Sequence, residues 1–173
     1  EMIYISTSCI NSDTIYESIK IISDSGFNNI ELSAGTNFYS RIERDLLSLK
    51  NKYKLNYILH NYFPPNKIPN VINLASLDDN ICEFSINNII NSIKISRLYK
   101  TTKYSLHAGY YIDISNNEIG KKINRKKIFN IIDSKKQFYK NFNIVKKKSK
   151  DLEIYLENNV ISENTYNNYD GKN

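Results

Sequence analysis

Only two histidines occur among the 173 residues. Both stand at the same point of a repeating pattern, closing a short β-forming run and preceding a turn: Leu59-His60-Asn61 and Leu106-His107-Ala108-Gly109. Glu157 closes a third such run, Glu153-Ile154-Tyr155-Leu156-Glu157, and Glu31 falls at the end of a fourth, Asn29-Ile30-Glu31-Leu32-Ser33. Two neutral imidazoles and a carboxylate make a donor set for a divalent cation. Imidazole nitrogen suits zinc, manganese or cobalt, and a carboxylate adds charge that favours a harder ion such as magnesium. An ion so held activates a water or polarises a substrate carbonyl. Taken singly, a strand-end histidine is more often a hydrogen-bonded polar residue. Two of them in step with Glu157 point to His60, His107 and Glu157 as metal ligands. Glu31 is open to three roles: orienting a substrate hydroxyl, acting as a base, or pairing with a cation.

The elements that must position these residues follow from periodicity. Strands are expected over Met2–Ser6, Asn29–Ser33, Leu55–His60, Tyr104–His107 and Glu153–Glu157, from their β-forming runs. Helical spacing of Ile15, Ile19 and Ile22, capped by Ser12 or Asp13 and stopped by Gly26, predicts a first helix. Ile42, Leu46, Leu49 and Tyr53 mark a second over 42–53. A third covers roughly 77–99, with Ile81, Phe84, Ile89, Ile93 and Ile95 among its apolar positions. A fourth covers about 125–152, with Phe129, Ile132, Phe138, Phe142 and Val145 available to the core. Pro64, Pro65 and Pro69 hold an irregular loop, and the chain after 157 is polar and Asn-rich.

Strict alternation of short strands with helices argues for a single α/β domain, 1–173, on a parallel sheet. Five βα units fit an open doubly wound sheet or part of a (β/α)8 barrel. Neither G-x-G-x-x-G nor G-x-x-x-x-G-K-[ST] is present, so the usual phosphate-loop support for the open sheet is missing. Reactive groups of parallel β/α proteins sit at the C-terminal ends of strands, and in a closing barrel those ends converge on one pocket. The polar strand ends therefore favour a partial TIM barrel.

Charge and composition narrow the setting. Hydrophobic residues make up 40% of the chain and charged residues 24%, ordinary values for a globular protein, and a net charge of +6 permits nucleic acid or phosphorylated substrates without establishing either. No apolar run approaches the about 18 residues that span a bilayer, and no secretory signal is seen, so a soluble cytoplasmic protein is the expectation. Cys9 and Cys82 read as free thiols. Lys146, Lys147, Lys148 and Lys150 fall at a helix C-terminus, where they complement the helix dipole on the side away from the strand ends. Lys121, Lys122, Arg125, Lys126 and Lys127 border the active side and could attract a phosphate, or be solvated surface. Tyr62, Phe63, Tyr110 and Tyr111 follow strands three and four, where they stack on a sugar or base or line the loop interior. Asn61, Tyr62, Phe63, Tyr110 and Lys121 are the expected substrate contacts.

Four segments in order carry a resemblance. They are Ile30-Glu31-Leu32-Ser33; Leu59-His60-Asn61-Tyr62-Phe63-Pro64-Pro65 with Asn73-Leu74-Ala75-Ser76; Ser105-Leu106-His107-Ala108-Gly109; and Leu156-Glu157-Asn158-Asn159. From Ile3 to Asn159 the chain resembles the xylose isomerase-like TIM-barrel superfamily, which includes sugar phosphate isomerases and epimerases and AP endonuclease family 2. The resemblance implies that His60 and His107 fall where endonuclease-like members place histidine ligands. It also implies that Glu157 falls where nearly all members place a metal-bridging carboxylate. Members take further ligands from strands six to eight, which this chain lacks, and a whole barrel runs to about 250 residues. A truncated gene product, an expression fragment or a proteolytic remnant is therefore expected.

Three functions follow. The first is a metal-dependent sugar or sugar-phosphate isomerase or epimerase, with Glu157 and Glu31 as carboxylates for proton transfer beside a chelated carbonyl. The second is a zinc-dependent endonuclease IV-like phosphodiester hydrolase acting on DNA, favoured by the two histidines. The third is an inactive barrel fragment that self-associates through open sheet edges.

Overall fold

The computed structural model describes residues 3–67, 70–118 and 128–158. Its elements alternate along the chain: β1 (Ile5–Ser6), α1 (Ile15–Asp24), β2 (Asn29–Leu32), α2 (Ile42–Tyr53), β3 (Asn56–His60), α3 (Asp79–Leu98), β4 (Lys103–His107), α4 (Ile131–Lys148) and β5 (Glu153–Glu157). The strands form one five-stranded sheet in the order β1-β2-β3-β4-β5, and every neighbouring pair is parallel. An order that never reverses decides between the two architectures. Right-handed crossovers advancing in one direction place all four helices on one side of the sheet, as in a barrel; a doubly wound sheet reverses and covers both sides.

Register assigns each strand residue to a side. Ile30 pairs with Tyr57, and Leu32 pairs with Leu59, Leu59 with Tyr104, Tyr104 with Ile154, and Leu106 with Leu156. Side chains alternate across a strand, so these residues share the helix-facing side. Ile30, Leu32, Tyr57, Leu59, Tyr104 and Leu106 are buried there with Ile15, Ile19 and Ile22 of α1, Leu46 and Leu49 of α2, Ile89 and Ile93 of α3, and Val145 of α4. The opposite side carries Ser6, Glu31, His60, Ser105, His107 and Glu157. One face of the sheet is thus oily and the other polar.

The helix ends have local causes. Thr14 caps α1 in a capping box with Glu17, while Ser12 turns to the Ser18 hydroxyl. The backbone N–H of Gly26 donates to Ser23 O and that of Phe27 to Ile22 O, a Schellman stop that uses the positive φ of Gly26 (89°). At the ends of α2 and α3 the left-handed residues are Lys54 and Lys100, both at φ 55°. Asp78 caps α3 and Asn130 caps α4.

The structure corrects several sequence expectations. β1 begins at Ile5, not Met2. α4 starts at Ile131, not near 125, because the N–H of Phe129 is taken by Tyr111 O (2.7 Å) and Asn130 receives the first free helical N–H groups. Ile132 is 64% exposed and does not enter the core. α4 instead sends Ser134 and Asn141 inward, donating to Ala75 O and Leu74 O.

Candidate metal centre

β3, β4 and β5 end in His60, His107 and Glu157, and the parallel register brings these ends together. His107 is the register partner of Glu157, and His60 that of Ser105, two residues before His107 on the same face. One donor atom from each of His60, His107 and Glu157 lies within 4.8 Å of the other two. His60 Nε2 stands 3.5 Å from Glu157 Oε2. The two imidazole centroids are 4.9 Å apart at 74°, and the Tyr62 ring lies 5.8 Å from His60 and 6.1 Å from His107. The Nδ1 atoms of both histidines are buried without a hydrogen-bond partner.

This donor set fits a divalent cation. With metal–ligand distances of about 2.0–2.2 Å, two atoms on one ion stand at most about 4.4 Å apart. Closing from 4.8 Å needs only small side-chain rotation, and Glu157 is partly exposed and free to make it. Burial lowers the pKa of His60, opposed by Glu157, so the imidazole is held neutral, the form that ligates.

Glu31 stands outside this group of three but on the same face of the sheet. Its Oε1 accepts a 2.8 Å hydrogen bond from the Ser6 hydroxyl at the end of β1. Burial raises its pKa; the Ser6 hydrogen bond lowers it, Glu157 raises it and His107 lowers it. Four strand ends thus meet electrostatically.

The expected substrate contacts divide. Tyr62 and Tyr110 are half-buried, and burial raises both phenols, which also interact with one another. Asn61 is 2% exposed, and neither of its amide atoms has a hydrogen-bond partner. Phe63 is 1% exposed within the core cluster, so it packs the loop interior and offers no face to a solute. Lys121 lies outside the described residues, as do Lys122, Arg125, Lys126 and Lys127. Lys146, Lys147, Lys148 and Lys150 are exposed at the far end of α4, away from the strand ends.

Sequence reasoning missed Ser6, which steadies Glu31, and Asn73 with Asp113, which join the loops after β3 and β4. The strand-end rule applied to β1 would have found Ser6. Asn73 opens the segment Asn73-Leu74-Ala75-Ser76 that carries part of the resemblance, but nothing local points to its role.

No protein-family model and no curated protein matches the chain. Five parallel strands in unreversed order, alternating with four helices, make up part of a (β/α)8 barrel, with polar strand ends on one face. Solved structures bear out the fold. A D-tagatose 3-epimerase-like protein superposes at TM-score 0.66 and 16% identity, over 89% of this chain and 51% of that one. D-psicose 3-epimerase from Clostridium cellulolyticum H10, solved with D-tagatose, gives 0.62 at 15% identity over 90% and 50%. An L-ribulose 3-epimerase gives 0.59 at 16% over 90% and 49%. The chain spans about half the length of the structures it matches. Among the described residues, no helix is long and apolar enough to cross a membrane.

Proposed function

We propose that the protein is a metal-dependent isomerase or epimerase of a small sugar or sugar phosphate, with His60, His107 and Glu157 holding the cation. The observation that carries this reading is the approach of three ligand atoms, from three different strand ends, to within 4.8 Å. The barrel fold shared with the D-tagatose 3-epimerase-like protein, D-psicose 3-epimerase and L-ribulose 3-epimerase supports the substrate class. A cation held there supplies Lewis-acid polarisation of a substrate carbonyl.

The chain's own groups supply the rest. Glu31, with its pKa raised by burial, is better matched than a solvated carboxylate to exchange a proton with carbon near neutral pH. The Ser6 hydroxyl fixes one of its oxygens. Tyr62, beside both imidazoles, forms one wall of the site.

A second reading has one specific observation in its favour. Two histidines in a three-residue donor set suit zinc and phosphodiester cleavage of DNA. One experiment separates the two. The protein is loaded in turn with Zn2+, Mn2+, Co2+ and Mg2+, then given ketohexoses and their phosphates in D2O and, separately, an abasic DNA duplex. Deuterium entering the carbon beside the carbonyl, without nicking, is the expected result. Nicking without exchange replaces it with the endonuclease reading. A metal-loaded protein that does neither is an inactive barrel piece.

A further inference from the structure

The loop between β3 and α3 contains Asn73, 1% exposed and bonded at every position its side chain offers. Its Nδ2 donates to Ile112 O (3.1 Å) and to Asp113 Oδ1 (2.9 Å). Its Oδ1 accepts from the backbone N–H of Ala75 (3.1 Å) and of Tyr110 (2.9 Å). Two donors and two acceptor sites exhaust an amide. The orientation is fixed by its partners, because a flip would set the NH2 against two N–H groups. Below it, the Asn73 N–H donates to Ser85 Oγ (2.9 Å), which donates to Ile81 O (2.7 Å), tying the loop to α3. Beside it, Ser76 Oγ donates to the other oxygen of Asp113 (2.8 Å).

The segment that Asn73 holds is the turn leaving β4, directly after His107. Gly109 has φ +114°, and a Cβ added there would stand 2.8 Å from Asn73 Oδ1 and 3.2 Å from both Ala75 Cβ and Ala75 N. The turn therefore lies flat on the asparagine, and only glycine permits that approach. On the other side, the Ala108 N–H donates to Glu157 O (3.3 Å). The residues following His107 are thus fixed between the β5 end that carries Glu157 and the loop that carries Asn73.

From this wiring we infer that Asn73 is a positioning residue of the centre, setting where His107 stands against His60 and where Tyr110 meets Tyr62. The role rests on the metal reading only for its purpose; the positioning itself is a property of the protein without metal. Asparagine is required because the site needs two donors and two acceptors in one plane. Aspartate keeps the acceptors but turns a carboxylate toward Ile112 O and the Asp113 carboxylate.

Because the chain has two histidines, ring NMR reads the geometry directly. The test compares the unsubstituted protein, Asn73→Asp, and the exchanged pair Asn73→Asp with Asp113→Asn, which restores the side-chain hydrogen bond with its polarity reversed. In Asn73→Asp the ring-to-ring cross-peak between His60 and His107 is expected to be lost, with larger shifts at His107 than at His60. Co2+ affinity is expected to fall about 10- to 100-fold, the usual effect of an outer-shell change. The exchanged pair is expected to recover both in part, because the hydrogen bond to position 113 returns while a carboxylate oxygen still faces Ile112 O. If Asn73→Asp does not fold, Gly109→Ala carries the test with the same expected readings. Ring signals that superpose on those of the unsubstituted protein overturn the proposal, even if stability falls. An unsubstituted protein that binds no Co2+ sinks the metal reading instead, while the ring signals still decide the role of Asn73.

Discussion

His107 and Glu157 are register partners across β4 and β5. Side chains opposite one another in adjacent strands leave the sheet on one side about 4.8 Å apart, so the pair is preset to share a ligand. His107→Gln and Glu157→Gln should each weaken Zn2+ binding by more than the about 100-fold that a supporting residue gives. Isothermal titration measures this; a variant that keeps the parent affinity removes that residue from the ligand set.

His60 gives stability a pH dependence. Its folded-state pKa is lowered from 6.5 by burial, with Glu157 opposing. As pH falls below 6.5, the unfolded chain takes up the proton before the folded one, so stability declines through the window between 6.5 and the lower folded value. Denaturant titrations between about pH 8 and about pH 5 should show that decline, and His60→Gln should flatten it. An unchanged slope in the variant would locate the dependence elsewhere.

Arg97 and Asp151 tie the end of α3 to the turn before β5. Arg97 Nε and Nη2 each donate to an Asp151 oxygen at 2.7 Å, and Nη2 also donates to Lys148 O at the end of α4. The Arg97 hydrogen bonds hold the Asp151 carboxyl at about 2. A depressed carboxylate contributes above its unfolded value of 3.8, and the contribution is lost as pH falls through about 2. In a carboxyl NMR titration Asp151 should show a midpoint near 2, moving up toward 3.8 in Arg97→Gln. A midpoint already near 3.8 in the parent would show that the pair is not formed in solution.

Lys54 and Lys100 terminate α2 and α3 in left-handed conformation, which costs a residue with a Cβ about 1–2 kcal/mol. Glycine removes that cost but adds about 0.4–1 kcal/mol of unfolded-state entropy. Lys54→Gly and Lys100→Gly should therefore each stabilise the protein by about 0.5–1 kcal/mol. Urea unfolding midpoints check this, and a loss in both variants would contradict it.

Much of this was legible locally. α2 and β5 have the bounds expected of them, because Ile42, Leu46 and Leu49 recur at helical spacing and 153–157 is a compact β-forming run. The start of α4 was not legible, since Phe129 fits the helical period while its backbone N–H is claimed by Tyr111, at the other end of the same β4–α4 connection. Phe63 illustrates the same limit. An aromatic three residues beyond a β3-end histidine suits either a pocket or a core, and burial placed it in the core. The donor trio could be named from position in the repeat, whereas its grouping within 4.8 Å is a matter of register.

The sequence by itself determined the alternation of strands and helices and the polar identity of the strand ends, because periodicity and turn chemistry act over a few neighbours. Only the tertiary structure decided that the strands run in one unreversed order, so that Ser6, Glu31, His60, His107 and Glu157 share a face. It also decided that Asn73 meets Tyr110 across 37 residues of chain. Those outcomes depend on crossover direction, register and contacts between loops far apart in the chain, and no short stretch of residues encodes them.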